Sequence, residues 1–349
     1  MNVEKLHIVF LTPGFAISEE DSNTIPALQV YLKNLLITVP EAKLTLVAFQ
    51  FPFTRKNYTW NGIEIVPLNG KNNRFKKLWI WKSALKTLKK IHKKHPISTI
   101  HSLWIGECSF IGKKFSNKHN ISHIVTVMGQ DTIANNRYNK SLLKSKAKII
   151  TLSINHQKEL YKNHNLDSQI IPWSLDVNSF PELLENKINI IGVGSLNTIK
   201  NYFTFINIIS FLVKDYPKLK VEIIGEGKLQ QELLAVIQQK KLDQTIKLIG
   251  KLSRQEVLKK MSQSHILLHT STYESFGYVF SEALYSGMKV VSFDVGTATN
   301  IKEWKICKDK SEMISQCNHI LAHPKTKKQR VLLHPPEETI ASYLKLYNA

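Results

Sequence analysis

Acidic side chains are scarce in this sequence of 349 residues, which has 27 Asp and Glu against 48 Lys and Arg and a formal net charge of +21. Such a balance favours an anionic partner: a membrane surface, a nucleic acid or a phosphorylated substrate. The excess is uneven, because residues 1–170 hold 25 basic and 10 acidic side chains (+15), whereas residues 171–349 hold 23 and 17 (+6). We therefore expect the attraction for anions mainly around the first half.

Long apolar runs and cysteine motifs are also missing. No run approaches the ~20 residues that a membrane-spanning helix needs. The start of the chain, Met1–Lys5, leads into a strand-like run and lacks the features of a signal peptide. Cys108, Cys307 and Cys317 lack metal-type spacing and fit reduced thiols. With an ordinary hydrophobic content of 43%, the chain is expected to be a cytoplasmic protein of two globular domains.

Short apolar runs alternate with helical patterns along the whole chain. This alternation is typical of doubly wound, mostly parallel sheets. A proline-containing crossover, Ile170–Pro181, separates the two series and marks the predicted domain boundary. The predicted strands are His7–Leu11, Leu44–Phe49, Ile63–Val66, Ser98–Ser102, Ile121–Val127 and Lys148–Ser153 before it, and Ile188–Val193, Lys220–Ile224, Thr245–Ile249, His265–His269 and Lys289–Phe293 after it.

The segment Lys71–His95 contains ten Lys and Arg and no acid. Apolar residues, including Trp79 and Trp81, recur in it at helical intervals. A basic amphipathic helix with tryptophans can lie in the headgroup region of an anionic membrane. The alternative is a surface helix that packs its apolar stripe on the sheet and leaves its lysines solvated. We favour a membrane role over nucleic-acid binding, since no zinc-finger spacing, aromatic RNA-binding pattern or clear helix-turn-helix is present.

The stretch Thr270–Gly287 combines a polar turn with a helical pattern directly after a predicted strand. Glu274 then lies past the carboxyl end of that strand, and Glu282 lies on the following helix. Ligands of open α/β sheets bind at this edge, where two carboxylates can hold sugar hydroxyls and helix amides can face an anion. The alternative is that both are ordinary surface acids.

Two further turns are candidates by the same reasoning. The turn that begins at Gly194 is followed by Lys200 at the start of a predicted helix, an arrangement that suits a phosphate. Most turns of this kind only connect a strand to a helix. In the first half, Asp131 falls just past the end of the Ile121–Val127 strand.

Several motifs of the second half occur in a fixed order: Gly194-Ser195-Leu196 with Lys200-Asn201, Ile224-Gly225-Glu226-Gly227, Gly250-Lys251-Leu252-Ser253, Glu274-Ser275-Phe276-Gly277 with Glu282 (E-x7-E), and Gly287-Met288-Lys289-Val290-Val291. Together they resemble the group 1 family of retaining glycosyltransferases with the GT-B fold. The similarity runs from about Ile188 to Gly296, and the first half matches more loosely.

The resemblance implies a particular domain organisation. Two Rossmann-like, doubly wound α/β domains would face each other across a cleft. Residues 1–171 would bind the acceptor and residues 172–333 the nucleotide sugar, while a C-terminal helix in 334–349 would cross back to the first domain.

The resemblance also implies site residues. Lys200 would neutralise the diphosphate, Glu274 would contact the donor sugar, and Glu282 would bind the ribose hydroxyls. Asp131 would be the catalytic candidate of the first domain. The remaining donor-binding positions would be Gly194, Ser195, Gly225, Leu252, Ser275, Phe276 and Gly277, and the acceptor side would include Gly14, His101 and Gly129. No metal or other cofactor is implied, and the sequence has no D-x-D cluster.

Three departures from the family pattern stand beside this resemblance. Ser195 and Met128 replace basic residues that are common in the family, and the glycine pair near the first loop is missing after Gly14. The expected function is transfer of a sugar from a nucleotide-diphosphate sugar to a glycan or lipid-linked acceptor, on the inner face of the membrane and in the synthesis of an envelope polysaccharide such as lipopolysaccharide. The alternatives are a catalytically silent scaffold that binds a glycan or a partner enzyme and, with less support, a nucleic-acid-binding protein.

Overall fold

The computed structural model describes residues 6–143, 145–323 and 327–348; the start of the chain, Met1–Lys5, lies outside them. The described residues form two compact units. The first contains the residues up to Ser174 together with those from His334 onward, and the second runs from Leu175 to Leu333. Both the predicted boundary after residue 171 and the unit boundary after Ser174 fall in the proline-containing crossover.

The first unit is built on one sheet with strand order β3-β4-β2-β1-β5-β6-β7-β8. Neighbouring strands are parallel except for the antiparallel pair β3–β4. The strands are β1 His7–Gly14, β2 Lys43–Phe51, β3 Tyr58–Trp60, β4 Ile63–Pro67, β5 Thr99–Leu103, β6 Ser122–Thr126, β7 Lys148–Thr151 and β8 Gln169–Ile170. The helices between them are α1 Pro26–Thr38, α2 Lys77–Lys94, α3 Glu107–His119, α4 Asn139–Leu142 and α5 Ile154–His164.

The predicted basic helix is present as α2. Its residues Ile80, Ala84 and Leu88, spaced four apart, are buried in one hydrophobic cluster with residues of β1, β2, β5 and α3. The spacing of four residues puts them on one face of the helix. The apolar stripe of α2 is therefore used to cover the sheet, and only residues outside it remain for another partner.

The second unit contains a parallel sheet with strand order β11-β10-β9-β12-β13-β14. Its central strands are buried on both faces, which explains why they read as continuous apolar runs. The strands are β9 Ile188–Val193, β10 Val221–Ile224, β11 Ile246–Gly250, β12 Ser264–His269, β13 Lys289–Phe293 and β14 Trp304–Cys307. The helices are α6 Tyr202–Asp215, α7 Gln230–Gln239, α8 Arg254–Ser262, α9 Tyr278–Tyr285 and α10 Lys310–Ala322.

Helix α9 has the pattern and the ending that its sequence predicts. Phe280, Ala283 and Leu284 are fully buried. Gly287 has a φ of +74° and its N–H donates to the Leu284 carbonyl at 3.1 Å, as in a Schellman ending. This ending turns the chain directly into β13.

The last helix, α11 Pro336–Tyr347, packs on the first unit. The hydroxyl of Tyr347 lies 2.5 Å from that of Tyr31 and 2.7 Å from His101 Nδ1. The Trp173 indole N–H donates to the Tyr343 hydroxyl at 3.2 Å. The prediction that the C-terminal helix returns to the first domain is thereby confirmed.

No helix in the described part of the chain combines the length and the apolar composition that a membrane crossing would require.

Candidate active site

Lys200 and Glu274 meet at the carboxyl edge of the second sheet. The Lys200 ammonium donates to Glu274 Oε1 in an ion pair that is mostly shielded from solvent. The Lys200 backbone is fixed on both sides, because its N–H donates to Asn197 Oδ1 at 3.1 Å and its carbonyl accepts from the Thr270 hydroxyl at 3.0 Å. The predicted lysine and acid therefore share one site.

Glu274 Oε1 receives two more hydrogen bonds. His269 Nε2 lies 2.8 Å from it and the Ser271 hydroxyl donates at 2.9 Å. Burial alone would raise the pKa of Glu274, but the hydrogen bond from His269 and the charge of Lys200 outweigh it and hold the pKa at about 2. The carboxylate stays ionised, and Oε2 receives none of these three contacts.

His269, the last residue of β12, holds the Glu274 carboxylate through this hydrogen bond. It is buried, and its ring meets Phe280 edge-on at 4.6 Å between ring centroids. Burial lowers the pKa of His269, with the hydrogen bond to Glu274 opposing this. Since a carboxylate only accepts hydrogen bonds, the geometry assigns the proton of the neutral ring to Nε2. His269 therefore positions Glu274 without adding charge.

The glycine turns of this edge fit closely against each other. A Cβ at Gly225 would come within 2.0 Å of the Gly194 carbonyl oxygen, and one at Gly194 would lie 3.1 Å from Lys200 Cε. Both glycines have positive φ values, +147° and +149°. Glycine is required there because a side chain would separate the loops and displace Lys200.

A second buried ion pair joins Glu282 of α9 to Arg254, the first residue of α8. The guanidinium lies over the Tyr278 ring, 5.5 Å from its centroid. Burial raises the pKa of Glu282, and the charge of Arg254 opposes this shift. Sequence reasoning missed Arg254 because its neighbours Ser253 and Glu256 form a capping box, which the structure contains.

The remaining predicted donor-binding positions lie in the loops of the same edge. Gly277 has a φ of +75° and immediately precedes α9, and the Phe276 carbonyl accepts from the Thr297 N–H at 2.9 Å. Ser195 is exposed. Leu252 is partly buried and packs on the core, and Ser275 is also partly buried.

In the first unit, Asp131 is buried within its own loop. Its carboxylate accepts from the Ile105 N–H at 2.8 Å, the Gly129 N–H at 2.7 Å and the Met128 N–H at 3.3 Å. Burial raises the pKa of Asp131, and these amides oppose the shift. The structure thus gives Asp131 a role in shaping the loop, and its catalytic role stays a prediction.

His101 and Gly14 also occupy interior positions of the first unit. His101 is 0% exposed, and its ring nitrogens lie 2.7 Å from the Tyr347 hydroxyl and 2.8 Å from the Thr126 hydroxyl. Burial lowers the pKa of His101 to about 3. Gly14 ends β1, where a Cβ would meet that of Phe51 at 3.3 Å. An acceptor contact by His101 would require the contact with α11 to open.

The structure therefore joins Lys200 with Glu274 and pairs Glu282 with Arg254, and it adds His269 and Ser271. His269 could have been recognised as the last residue before the loop. No group of three or more His, Cys, Asp or Glu in the described ranges is arranged to hold a metal ion.

Comparison with known proteins shows what the chain is similar to. The family model of the group 1 glycosyl transferases matches residues 176–344. Among curated relatives, one component of human phosphatidylinositol N-acetylglucosaminyltransferase is 33% identical over 130 residues, which are 36% of this chain and 27% of the relative. Poly(glycerol-phosphate) alpha-glucosyltransferase of Bacillus subtilis is 27% identical over 131 residues, covering 38% and 18%. The matches thus span only about a quarter or less of these relatives.

Solved structures match over nearly the whole chain. Sucrose-phosphate synthase of Thermosynechococcus elongatus has a TM-score of 0.74 at 14% identity, covering 98% of this chain and 96% of that one. HepE of Anabaena in complex with UDP-glucose has a TM-score of 0.64 at 14% identity, covering 97% and 93%. The chain has the GT-B fold. Its residues 176–344 are similar to the group 1 glycosyl transferases, whose model they match.

Proposed function

We propose that this protein is a retaining glycosyltransferase that moves a sugar from a nucleotide-diphosphate sugar to an acceptor hydroxyl. The observation that carries the proposal is the ion pair between Lys200 and Glu274, placed at the ligand-binding edge of a doubly wound sheet beside the Gly194 turn. A solvated surface acid would not be buried with three donors on one oxygen.

Each group of this site has a role in the proposal. The Lys200 ammonium has three N–H donors, and the one that binds Glu274 fixes the direction of the other two toward the donor's diphosphate. Glu274 Oε2 accepts from a sugar hydroxyl, and Glu282, held by Arg254, accepts from the ribose. Phe276 and Gly277 lie at the start of α9, where the helix dipole favours an anion.

In the reaction, the bond between sugar C1 and the diphosphate oxygen breaks and its electron pair leaves with the diphosphate. Lys200 stabilises the negative charge that develops there, which is commonly a large catalytic contribution. The acceptor oxygen forms the new bond to C1 on the same face. Its proton passes to the released diphosphate. The anomeric configuration is retained because the acceptor attacks on the face from which the diphosphate leaves.

A panel of UDP-, GDP- and ADP-sugars, scored for nucleotide release with candidate acceptors, tests this function. The proposal expects release with one nucleotide class and its loss in Lys200→Ala. Calorimetry with UDP, GDP and ADP distinguishes this enzyme from the alternative of a catalytically silent scaffold. The exposed Ser195 in the phosphate turn favours that alternative. A folded protein that binds none of the nucleotides is such a scaffold.

For the acceptor, we propose a glycan or lipid-linked molecule of envelope polysaccharide synthesis, reached at an anionic membrane surface. The support lies around α2, where Phe75, Leu78 and Trp79 are 84%, 68% and 43% exposed although other apolar residues of the segment face the core. The guanidinium of Arg55 lies 4.3 Å from the centre of the Trp79 ring. Exposed apolar side chains among cations suit a headgroup region.

A cavity of about 390 Å³ beside this surface adds to the support. It lies between α2 and strands β2 and β4. Its lining includes five basic residues, Lys43, Arg55, Lys90, Lys94 and His95, and one acid, Glu64. Basic groups above an apolar floor match an amphiphile with a negatively charged head.

Co-sedimentation with neutral and anionic vesicles tests the membrane role. Phe75→Ser, Leu78→Ser and Trp79→Ser combined should reduce binding to anionic vesicles. Phe211→Ser is the matched control, because Phe211 is also exposed and lies near two lysines, Lys214 and Lys310. Binding that is independent of anionic lipid, or equally reduced by both variants, contradicts the proposal.

A further inference from the structure

The amino-terminal edge of the second sheet carries a separate cluster of cations. It surrounds a cavity of about 250 Å³ whose lining includes His265, Lys289, Lys302, Glu303, Lys327 and Lys328. His265 is the second residue of β12, Lys289 begins β13, and Glu303 immediately precedes β14. Since all three strands are parallel, this is the sheet edge opposite to Lys200 and Glu274.

A smaller cavity of about 160 Å³ adjoins the first and shares Lys289, Lys302 and Glu303 with it. The smaller cavity adds Lys305 and two histidines, His319 and His323. Glu303 is the only acid among the described residues that line either cavity. Its Oε1 lies 3.5 Å from Lys289 Nζ. The remaining lysines leave this edge with uncompensated positive charge.

His265 is a buried polar group of this cavity that lacks a partner. It is 6% exposed, and its Nε2 has no hydrogen-bond partner among the described residues. Buried polar atoms are nearly always paired, and leaving one unpaired is costly. A ligand in the cavity would supply the missing partner.

Burial and neighbouring positive charge disfavour the protonated forms of two groups that line this cavity. Burial lowers the pKa of Lys328 to about 8. Burial also lowers the pKa of His265, and the charges of Lys328 and Lys289 lower it further. Lys328 is held in place, since its ammonium donates to the Ser262 carbonyl at 2.5 Å. A bound anion would offset this repulsion.

We infer that this amino-edge cavity binds a phosphate group, with His265 and the lysines Lys289, Lys302 and Lys328 as its partners. Several N–H donors around one cavity match the oxygens of a phosphate, and the cavity volume suits one or two linked phosphates. The group can belong to a soluble compound or to a lipid headgroup. The site lies apart from the proposed donor site and does not depend on the proposed transfer reaction.

The pKa of His265 reports on this binding directly. The ring signals of isotope-labelled histidine, assigned with His265→Asn, are followed through pH titrations in inorganic phosphate, in pyrophosphate, and in chloride at equal ionic strength. Phosphate should raise the pKa of His265 toward its ordinary value in a saturable manner, because a nearby negative charge favours the protonated ring. The inference is overturned if neither these phosphates nor the anionic vesicles described below shift the pKa of His265 more than chloride does.

Matched variants separate a specific site from general charge. Lys302→Glu should weaken phosphate binding roughly ten-fold, the scale of one lost charge-assisted hydrogen bond. Lys247→Glu makes the same charge change at an exposed position of β11, outside the cavity lining, and should have little effect. Lys200→Ala should leave the His265 response unchanged. Equal weakening by Lys302→Glu and Lys247→Glu contradicts the inference.

Two further titrations of His265 identify the source of the phosphate. A His265 response to soluble glycerol phosphate supports a free ligand. A response only to vesicles that contain phosphatidylglycerol, and not to neutral vesicles, supports a lipid headgroup. If none of the soluble phosphates and neither type of vesicle moves the His265 signal, the inference is wrong.

Discussion

The two edges of the second sheet differ in how their charged side chains are paired. At the carboxyl edge, Glu274 is paired with Lys200 and Glu282 with Arg254, and the side chains of both pairs are largely buried. At the amino edge, lysines and a buried histidine surround a cavity in which Glu303 is the acid among the described lining residues. Paired buried charges depend strongly on each other, because removal of one leaves the other uncompensated. Unpaired cations at the rim are instead available to an outside anion.

The largest effect is expected when the cation of the carboxyl edge is removed. Lys200→Ala should reduce kcat for sugar transfer by about 10²–10³-fold, the range for loss of one group that stabilises developing negative charge. Lys200→Arg keeps the charge and should retain more activity than the alanine variant. Nucleotide release under saturating donor measures both. Near wild-type turnover in a folded Lys200→Ala protein would remove Lys200 from the reaction.

The next effect concerns stability. Glu274→Gln should lower the free energy of unfolding by about 3 kcal/mol, because it leaves Lys200 largely buried without its counter-charge. Glu226→Gln is the matched control, since Glu226 pairs with Lys251 at 3.3 Å on an exposed surface and such pairs contribute about 0–1 kcal/mol. Urea unfolding monitored by circular dichroism gives both values. Equal losses would contradict the contrast between buried and exposed pairs.

Acid should remove the same stabilisation from the unmodified protein. The pKa of Glu274 is lowered from 4.5 to about 2 in the folded state, so its contribution is present above pH 4.5 and is lost as the pH falls toward 2. Linkage predicts a loss of about 2 kcal/mol between pH 5 and pH 3 that Glu274→Gln does not show. The measurement is the difference between the two unfolding free energies at each pH. A difference that does not change with pH would contradict the lowered pKa.

The sequence predicted the elements whose burial pattern is uniform. Runs such as Ile188–Val193 and Lys289–Phe293 became β9 and β13 with the same bounds, because strands buried on both faces are apolar throughout. The short strands β3, β8 and β14 were missed, and β8 has only two residues. Strand β14 contains Lys305 among apolar residues, and β3 has three residues, so neither produces a recognisable run. Their pairing is set by the neighbouring strands.

The candidate site, like the fold, was predictable from the sequence only in part. The contact between Lys200 and Glu274 agrees with their placement at one sheet edge, a placement that followed from the resemblance and from strand ends. Arg254 was not found, because its partner Glu282 is 28 positions away and the local pattern reads only as a helix start. His101 was assigned to the acceptor side from its motif, whereas its burial depends on α11, 246 positions from His101 at Tyr347. Long-range partners of this kind leave no local signal.

A smaller effect is expected from the second pair of the carboxyl edge. Arg254→Met should weaken donor binding about ten-fold, because Glu282 without its cation is favoured in the protonated form and becomes a poorer acceptor for ribose hydroxyls. Arg254→Lys, which keeps the charge, is the control. Calorimetry with the nucleotide shows the effect, and binding by Arg254→Met should improve as the pH rises. Unchanged affinity at all pH values would mean that Glu282 does not contact the nucleotide.

The amino edge should give the smallest effect on sugar transfer. Lys302 is exposed and lies at the sheet edge opposite to Lys200, so screening at physiological salt, with a Debye length of about 8 Å, removes most of its influence on the donor. Lys302→Glu should therefore leave kcat and KM unchanged in phosphate-free buffer, while it weakens the response of His265 to phosphate. Steady-state rates and the histidine titration are measured on the same samples. A loss of transfer activity without added phosphate would show that the two edges are coupled. It would contradict the view that the cations of the amino edge act independently of the ion pairs at the carboxyl edge.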